Sequence, residues 1–127
     1  MIYTISIQNN IEKDNKIIEL CESKIDKRSL IICRTCDLAK IYMKLRYKLK
    51  NVSIIQYRYK WKYHNEDWNK FIDMDNNVLI TDKLNLKINN MEISQVIYYC
   101  KTIKCNIKSN DVYYFSEEDN NERCEQR

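Results

Sequence analysis

Cysteine is the residue type whose number and spacing first suggest chemistry in this chain. Six cysteines occupy positions 21, 33, 36, 100, 105 and 124. An even number in a short chain favours a disulfide framework if the compartment is oxidising. In a reducing compartment, Cys33 and Cys36 would instead form half of a redox or zinc site, which Cys100 and Cys105 could complete. Both chemistries are open at this level.

Zinc and redox chemistry are the less favoured alternatives. Zinc ligands usually lie on tight turns with glycine nearby, and the chain contains neither glycine nor proline. A redox Cys-x-x-Cys motif needs a βαβ context that the pattern does not indicate. His64, the only histidine, falls in a polar segment with no nucleophile beside it. We therefore predict that the chain is not an enzyme and uses no metal or other cofactor.

Size and composition are typical of one folded domain. The chain has 127 residues and a net charge of +4, from 22 basic and 18 acidic residues. This balance is too weak to argue for a nucleic-acid partner. Abundant lysine, asparagine and isoleucine indicate an AT-rich genome, such as that of a large DNA virus or a parasite. No run is long enough to span a membrane, and the first residues lack the apolar run of a secretory signal.

The apolar pattern predicts at least six short strands separated by polar turns. Residues 64–69 are predicted as a turn, 11–20 as a short helix or strand, and 37–50 as a helix or a long loop. The predicted strands are residues 2–8, 29–36, 52–63, 70–72, 78–80, 83–88, 95–104 and 111–115. Many short strands at such spacing are typical of an all-β sandwich or barrel.

Four residues occur in the order that is typical of immunoglobulin domains: Cys33, Trp61, Tyr98 and Cys100. The run from 94 to 100 resembles the immunoglobulin strand F. The predicted fold class is therefore an all-β, immunoglobulin-like β-sandwich with an inserted, partly helical segment between strands B and C. This resemblance implies an inter-sheet disulfide between Cys33 and Cys100.

The remaining cysteines allow further cross-links. Cys21, Cys36 and Cys105 can supply one more bridge within the domain. Cys124 lies in a polar tail, where it could join two copies in a disulfide-linked homodimer.

The chain resembles the poxvirus interleukin-18-binding proteins, which are secreted single-domain decoys. The resemblance is carried by the cysteine pair 33 and 36 with an upstream cysteine, by the tyrosine-rich stretch 57–61, and by Lys-Phe-Ile-Asp at 70–73. It implies a secreted viral decoy that neutralises a host cytokine, with interleukin-18 as the first candidate. Cys105 also suggests interleukin-1-receptor-like or type I interferon-binding decoys, and an intracellular zinc-binding module stays open as an alternative.

The resemblance also implies which residues bind the cytokine. Carried over, they are Tyr57, Tyr59, Phe71 and Asp73, and we add Trp68 because it falls in a predicted exposed turn. Core packing competes with this role for each of the aromatic residues. The predicted partner is thus a host cytokine, and neither nucleic acid nor membrane.

Domain boundaries follow from the same interpretation. Residues 1–15 are a leader or an N-terminal strand, 16–115 the immunoglobulin-like domain, and 116–127 a disordered polar tail. Asn51 begins the only Asn-x-Ser/Thr sequon and is a predicted glycosylation site in a secreted protein.

Overall fold

The computed structural model describes residues 1–56, 64–82, 91–100 and 107–117. These ranges hold three helices and six strands. In chain order they are β1 (Ile2–Ile7), α1 (Asn10–Glu22), β2 (Ser29–Ile32), α2 (Thr35–Lys48), β3 (Val52–Ile55), α3 (His64–Ile72), β4 (Val78–Thr81), β5 (Ile93–Tyr98) and β6 (Ser109–Glu117). The strands form one sheet in the order β1-β6-β5-β2-β4-β3, and every strand pair is parallel.

Burial on both faces explains the apolar runs of the inner strands. Every residue of β2, β4 and β5 is buried, as is every residue of β3 at the sheet edge. A strand covered on both faces has no solvent-facing side, so its sequence reads as a continuous apolar run. Stretches such as Ser-Leu-Ile-Ile in β2 have this character.

The helices divide between the two faces of the sheet. α1 and α2 contribute to one core cluster, together with Ile31 and Ile97, and Phe71 of α3 belongs to the cluster on the opposite face. Connections between parallel strands are right-handed. Through α1 and α2 the chain moves from β1 toward the β3 edge of the sheet, and through α3 it moves back from β3 to β4. Because the direction is reversed, a right-handed connection places α3 on the opposite face from α1 and α2.

Local signals set the ends of the helices. The side chain of Asn9 caps α1 by accepting a hydrogen bond from the Glu12 backbone N–H at 2.8 Å. After α3, Met74 adopts a left-handed conformation with φ of 64°. Glycine normally takes this position after a helix, but this chain contains none.

The prediction of an all-β, immunoglobulin-like sandwich is wrong. The structure is a single parallel α/β sheet with helices on both faces. The period-two alternation that suggested a sandwich lies mainly in residues 57–63 and 83–88, which are outside the described residues. The inner strands that are described lack such alternation, because both of their faces are buried.

Individual elements were predicted with mixed success. In the described residues, the strands predicted at the start of the chain and at 29–36, 52–63, 78–80, 95–104 and 111–115 are confirmed with shorter, longer or shifted bounds. Residues 64–72 were predicted as a turn and a strand but form α3. The ambiguous segments 11–20 and 37–50 lie largely within α1 and α2. β1 pairs with β6 and so belongs to the same sheet as the rest.

None of the helices in the described ranges is both long and apolar enough to cross a membrane.

Candidate site at the carboxyl edge of the sheet

The carboxyl ends of the parallel strands meet at one edge of the sheet, where β2 lies between β4 and β5. The chain leaves β2 toward the β3 edge and leaves β4 in the opposite direction, toward β5. Such a reversal of strand order opens a crevice in which parallel α/β proteins bind ligands. Backbone hydrogen bonding between β2 and its two neighbours continues slightly beyond the ends of the strands. The Cys33 N–H donates to Thr81 O at 3.1 Å, and the Tyr99 N–H donates to Ile32 O at 2.8 Å.

The amino end of α2 lies at this crevice, directly after β2. Arg34 is its N-cap residue, and no side chain caps the helix. The Arg34 guanidinium donates from Nε to Asp37 Oδ2 at 3.0 Å, and its side chain stays half exposed. This hydrogen bond, together with the Asp37 charge, raises the pKa of Arg34. The arginine is therefore permanently charged and oriented at a helix end that itself favours anions.

A second contact joins the ends of β2 and β4. The hydroxyl of Thr35, the first residue of α2, donates to Asp82 Oδ2 at 2.5 Å. Asp82 directly follows β4. The contact holds the start of α2 against the neighbouring strand end, so the position of Arg34 relative to the sheet is well defined.

A buried polar cluster supports the other side of the crevice. Lys13 of α1 donates from Nζ to the carbonyl of Tyr99 at 3.0 Å, and its ammonium lies 4.3 Å from the centroid of the Tyr99 ring. The Tyr99 hydroxyl donates to Asp14 Oδ1 at 3.2 Å, and Lys44 Nζ donates to Asp14 Oδ2 at 2.7 Å. Burial, followed by the charge of Asp14, raises the pKa of Tyr99. These contacts fix α1 and α2 against the end of β5.

The four cysteines that the structure describes are thiols. Within the described ranges, Cys21, Cys33, Cys36 and Cys100 take part in no disulfide. The expected bond between Cys33 and Cys100 is thus not formed, and the described strands make one sheet instead of the two that it would have joined. Burial raises the pKa of the Cys21 thiol to about 12 and also raises that of Cys33. Cys36, in the first turn of α2, is exposed.

The zinc alternative gains no support from the described residues, which contain no group of three or more His, Cys, Asp or Glu side chains able to hold a metal ion. Cys105 and Cys124 lie outside the described residues.

The three predicted cytokine-binding residues that the structure describes do not share one exposed surface. Phe71 is fully buried beneath the sheet, and Trp68 is half-buried beside it with the two ring centroids 6.2 Å apart. Asp73 is exposed just after α3. Tyr57 and Tyr59 lie outside the described residues, as does Trp61. Asn51 is exposed in the loop before β3, and its glycosylation stays a prediction.

Comparison with known proteins gives matches among solved structures alone. No protein-family model matches the chain, and no curated protein is similar to it in sequence. A structure of Saccharomyces cerevisiae Dbp5 bound to RNA and ADP BeF3 superposes with a TM-score of 0.72 at 17% identity, covering 99% of this chain and 37% of that one. The C-terminal domain of a Dbp5 variant bound to a Gle1 variant and IP6 gives 0.71 at 17% identity, covering 92% of this chain and 76% of that one.

The helicase domain of Pyrococcus furiosus Hef gives a TM-score of 0.69 at 12% identity, covering 91% of this chain and 28% of that one. Dbp5 is a DEAD-box protein. This chain has a RecA-like α/β fold, which it shares with these helicase structures. It spans about a third of the length of the longer helicase chains that it matches.

Four further predictions are corrected by these findings. The resemblance to poxvirus interleukin-18-binding proteins is wrong, because the fold is that of helicase domains. The predicted function of a cytokine decoy is therefore wrong as well. The prediction that the protein is secreted is also wrong, because it rested on the same resemblance. The exclusion of nucleic acid in favour of a cytokine partner is also wrong, since it followed from the sandwich and the solved neighbours include a helicase bound to RNA. The prediction that the chain is not an enzyme is not confirmed, because the similar solved structures are helicase domains.

Arg34, Thr35, Asp82 and Tyr99 were not singled out from the sequence as site residues. A signal was present, since Arg34, Asp82 and Tyr99 each come just after a short, largely apolar segment that is typical of a strand buried on both faces. The residues that directly follow such strands are the ones that a parallel sheet collects at one edge.

Proposed function

We propose that this chain is a helicase-type domain that binds the backbone of single-stranded nucleic acid, with RNA as the first candidate, at the carboxyl edge of its sheet. The observation that carries the proposal is the position of Arg34 at the uncapped amino end of α2, within the strand-order crevice. A phosphate at this point would meet a fixed guanidinium and the positive end of a helix dipole.

The likeness to Dbp5 supports nucleic acid as the ligand class, because two of the matching Dbp5 structures contain RNA. Phosphate contacts of this kind position a strand without reading its bases. We therefore expect weak sequence preference and a marked dependence of affinity on salt.

Nucleotide hydrolysis is not proposed for the chain on its own. Phosphate-binding loops of the Walker and dinucleotide types need glycines where the backbone approaches a phosphate, and the sequence contains none. The chain also corresponds to 37% of the Dbp5 chain that was solved with ADP BeF3. We propose that any coupling to ATP depends on a second domain or polypeptide.

Fluorescence anisotropy with a labelled single-stranded RNA and the matching DNA tests the proposal. Arg34→Ala should weaken binding several-fold at low salt and reduce the slope of log affinity against log salt by about one. Lys27→Ala is the matched control, because Lys27 is an exposed cation in the turn before β2, at the opposite edge of the sheet. Equal losses for both variants would show non-specific attraction and contradict an edge site, as would no binding by the wild-type chain.

A further inference from the structure

A groove on the helical layer is not used by the proposed nucleic-acid site. It runs between α1 and α2, is open to solvent, and has a volume of about 340 Å³. We call it the α1–α2 groove and define it by its lining residues, which are Ile11, Asp14, Asn15, Ile18, Lys44, Tyr47 and Lys48.

Apolar side chains line much of this groove although it faces water. Ile11 is 70% exposed and Tyr47 is 89% exposed, on opposite sides, and Ile18 lies half-buried between the helices. Met43, one turn before Tyr47 on α2, is 59% exposed. Side chains four residues apart share one face of a helix, so Met43 extends the apolar strip along α2. Contiguous exposed apolar surface of this kind marks an interaction site.

The rim of the groove on the α2 side is basic. Lys40, Lys44 and Lys48 are all exposed and recur every four residues, so they form a row along one side of the helix. The acidic side chain in the lining, Asp14, is buried and already accepts hydrogen bonds from Lys44 and from the Tyr99 hydroxyl. The groove therefore presents apolar side chains beside a row of positive charge.

We infer that the α1–α2 groove is a docking site for an acidic amphipathic helix of a partner protein. An amphipathic helix binds by laying its apolar face into a groove between helices, with anchors at every third or fourth residue. Its apolar side chains would contact Ile11, Ile18 and Tyr47. Its glutamates or aspartates would pair with Lys40 and Lys48, which the structure leaves exposed.

The apolar contacts distinguish this occupant from a nucleic acid. Ile11 and Ile18 offer nothing to a phosphate, and burying them beneath a charged backbone would desolvate that backbone without compensation. Leucine or phenylalanine side chains of a partner helix would bury Ile11 and Ile18 favourably. The gain in free energy is about 25 cal/mol for each Å² of apolar surface removed from water. The inference does not depend on the proposed nucleic-acid site, because Arg34 lines no part of the groove.

The probe is a synthetic helical peptide with leucines at i, i+3, i+4 and i+7 and glutamates elsewhere. Binding to the full chain is measured by fluorescence anisotropy, and amide chemical shifts identify the residues involved. A peptide in which lysines replace the glutamates is the control ligand. We expect the acidic peptide to bind and to shift Ile11, Ile18 and Tyr47, and the lysine peptide to bind at least about tenfold more weakly.

Two variants and their matched controls localise the binding. Tyr47→Ala and Lys48→Glu should each weaken the acidic peptide about tenfold, and Lys48→Glu should improve binding of the lysine peptide. Ile25→Ala and Lys27→Glu make matching changes at an exposed apolar residue and at a lysine in the turn before β2, where Ile25 is 71% exposed, and should change neither affinity. All four side chains are exposed, so thermal unfolding should stay near that of the wild type.

Three outcomes would overturn the inference. The first is that the acidic peptide fails to bind. The second is that it binds equally well to Tyr47→Ala and to the wild type. The third is that single-stranded RNA, and not the peptide, shifts the groove residues, which would make the groove a nucleic-acid surface. Arg34→Ala separates the two proposals, since it should weaken RNA binding at the edge several-fold and leave peptide binding unchanged.

Discussion

Lys13 and Tyr99 form a buried contact in which the lysine Nζ donates to the tyrosine carbonyl at 3.0 Å. The ammonium also lies over the Tyr99 ring, 4.3 Å from its centroid. The two residues are 86 positions apart in sequence. The contact joins α1 to the end of β5, at the edge where the candidate site lies, so the position of that strand end depends on a helix from the first fifth of the chain.

Replacing Lys13 by alanine should lower the free energy of unfolding by about 2 kcal/mol. The variant loses a hydrogen bond from a charged donor and leaves the buried carbonyl of Tyr99 without it. Urea unfolding followed by circular dichroism measures the change. Lys16→Ala on the same helix is the control, because Lys16 pairs with Glu19 at the surface and should change stability by less than about 0.5 kcal/mol. Similar effects of both variants would contradict the importance of the buried contact.

Phe71 should behave as a core residue, not as a binding residue. Phe71→Ala removes a side chain that is 0% exposed and should cost about 3–5 kcal/mol of stability. Ile72→Ala, at the next and partly exposed position, should cost less than about 1 kcal/mol. Thermal or urea unfolding checks both values. A stable Phe71→Ala variant would show that α3 does not pack as described.

The left-handed conformation of Met74 offers a stabilising substitution. Met74→Gly should raise the free energy of unfolding by about 0.5–1 kcal/mol, because glycine has no side chain to clash at positive φ. Met43→Gly is the matched control within α2, where glycine should destabilise by about 1 kcal/mol. Urea unfolding of the two variants and the wild type measures the change in the free energy of unfolding. A lower value for Met74→Gly than for the wild type would contradict the prediction.

Thiol reactivity should separate the cysteines by their surroundings. Iodoacetamide should modify exposed Cys36 at least about tenfold faster than buried Cys21 and Cys33, because only the thiolate reacts and burial disfavours it. Peptide mapping by mass spectrometry follows each site separately. Urea-unfolded protein is the control, in which the three rates should converge. A cross-linked peptide pair containing Cys33 and Cys100 in unreduced protein would restore the disulfide that the structure lacks.

Stability should fall at alkaline pH. The pKa of Cys21 rises from 9.0 to about 12 on folding, so its contribution is complete below pH 9.0 and is lost as the pH rises toward about 12. In that range the unfolded chain releases a proton that the folded chain keeps, which costs up to about 1.4 kcal/mol per pH unit for each such group. Cys33 and Tyr99 act in the same direction.

Urea midpoints at about pH 8 and about pH 10 measure this decline. Cys21→Ala should be less stable at both values but should lose less between them, because one of the titrating groups is gone. An unchanged slope in the variant would show that Cys21 ionises alike in the folded and unfolded states.

Several elements could be predicted from the sequence because their signals are local. The spacing of Leu38, Ile41 and Leu45 fits one face of a helix, although a long loop was the alternative for 37–50, and these residues are the buried face of α2. The segment 29–36 was predicted as a buried strand and 78–80 as a short strand, and β2 and β4 lie there with every residue buried. Residues 64–72 were wrongly predicted as a turn and a strand. The segment is mostly polar because the apolar face of α3 is narrow and centres on Phe71.

The sequence by itself therefore determined which segments are apolar, where turns must rely on residues other than glycine, and which loops for binding phosphate are impossible. The tertiary structure alone decided that the strands are parallel, because a run buried on both faces is equally compatible with a sandwich and with a helix-covered sheet. The tertiary structure also determined which residues come together at the candidate site. Arg34, Asp82 and Tyr99 are far apart in the chain, and only the crossing of β4 and β5 to either side of β2 places them at one edge.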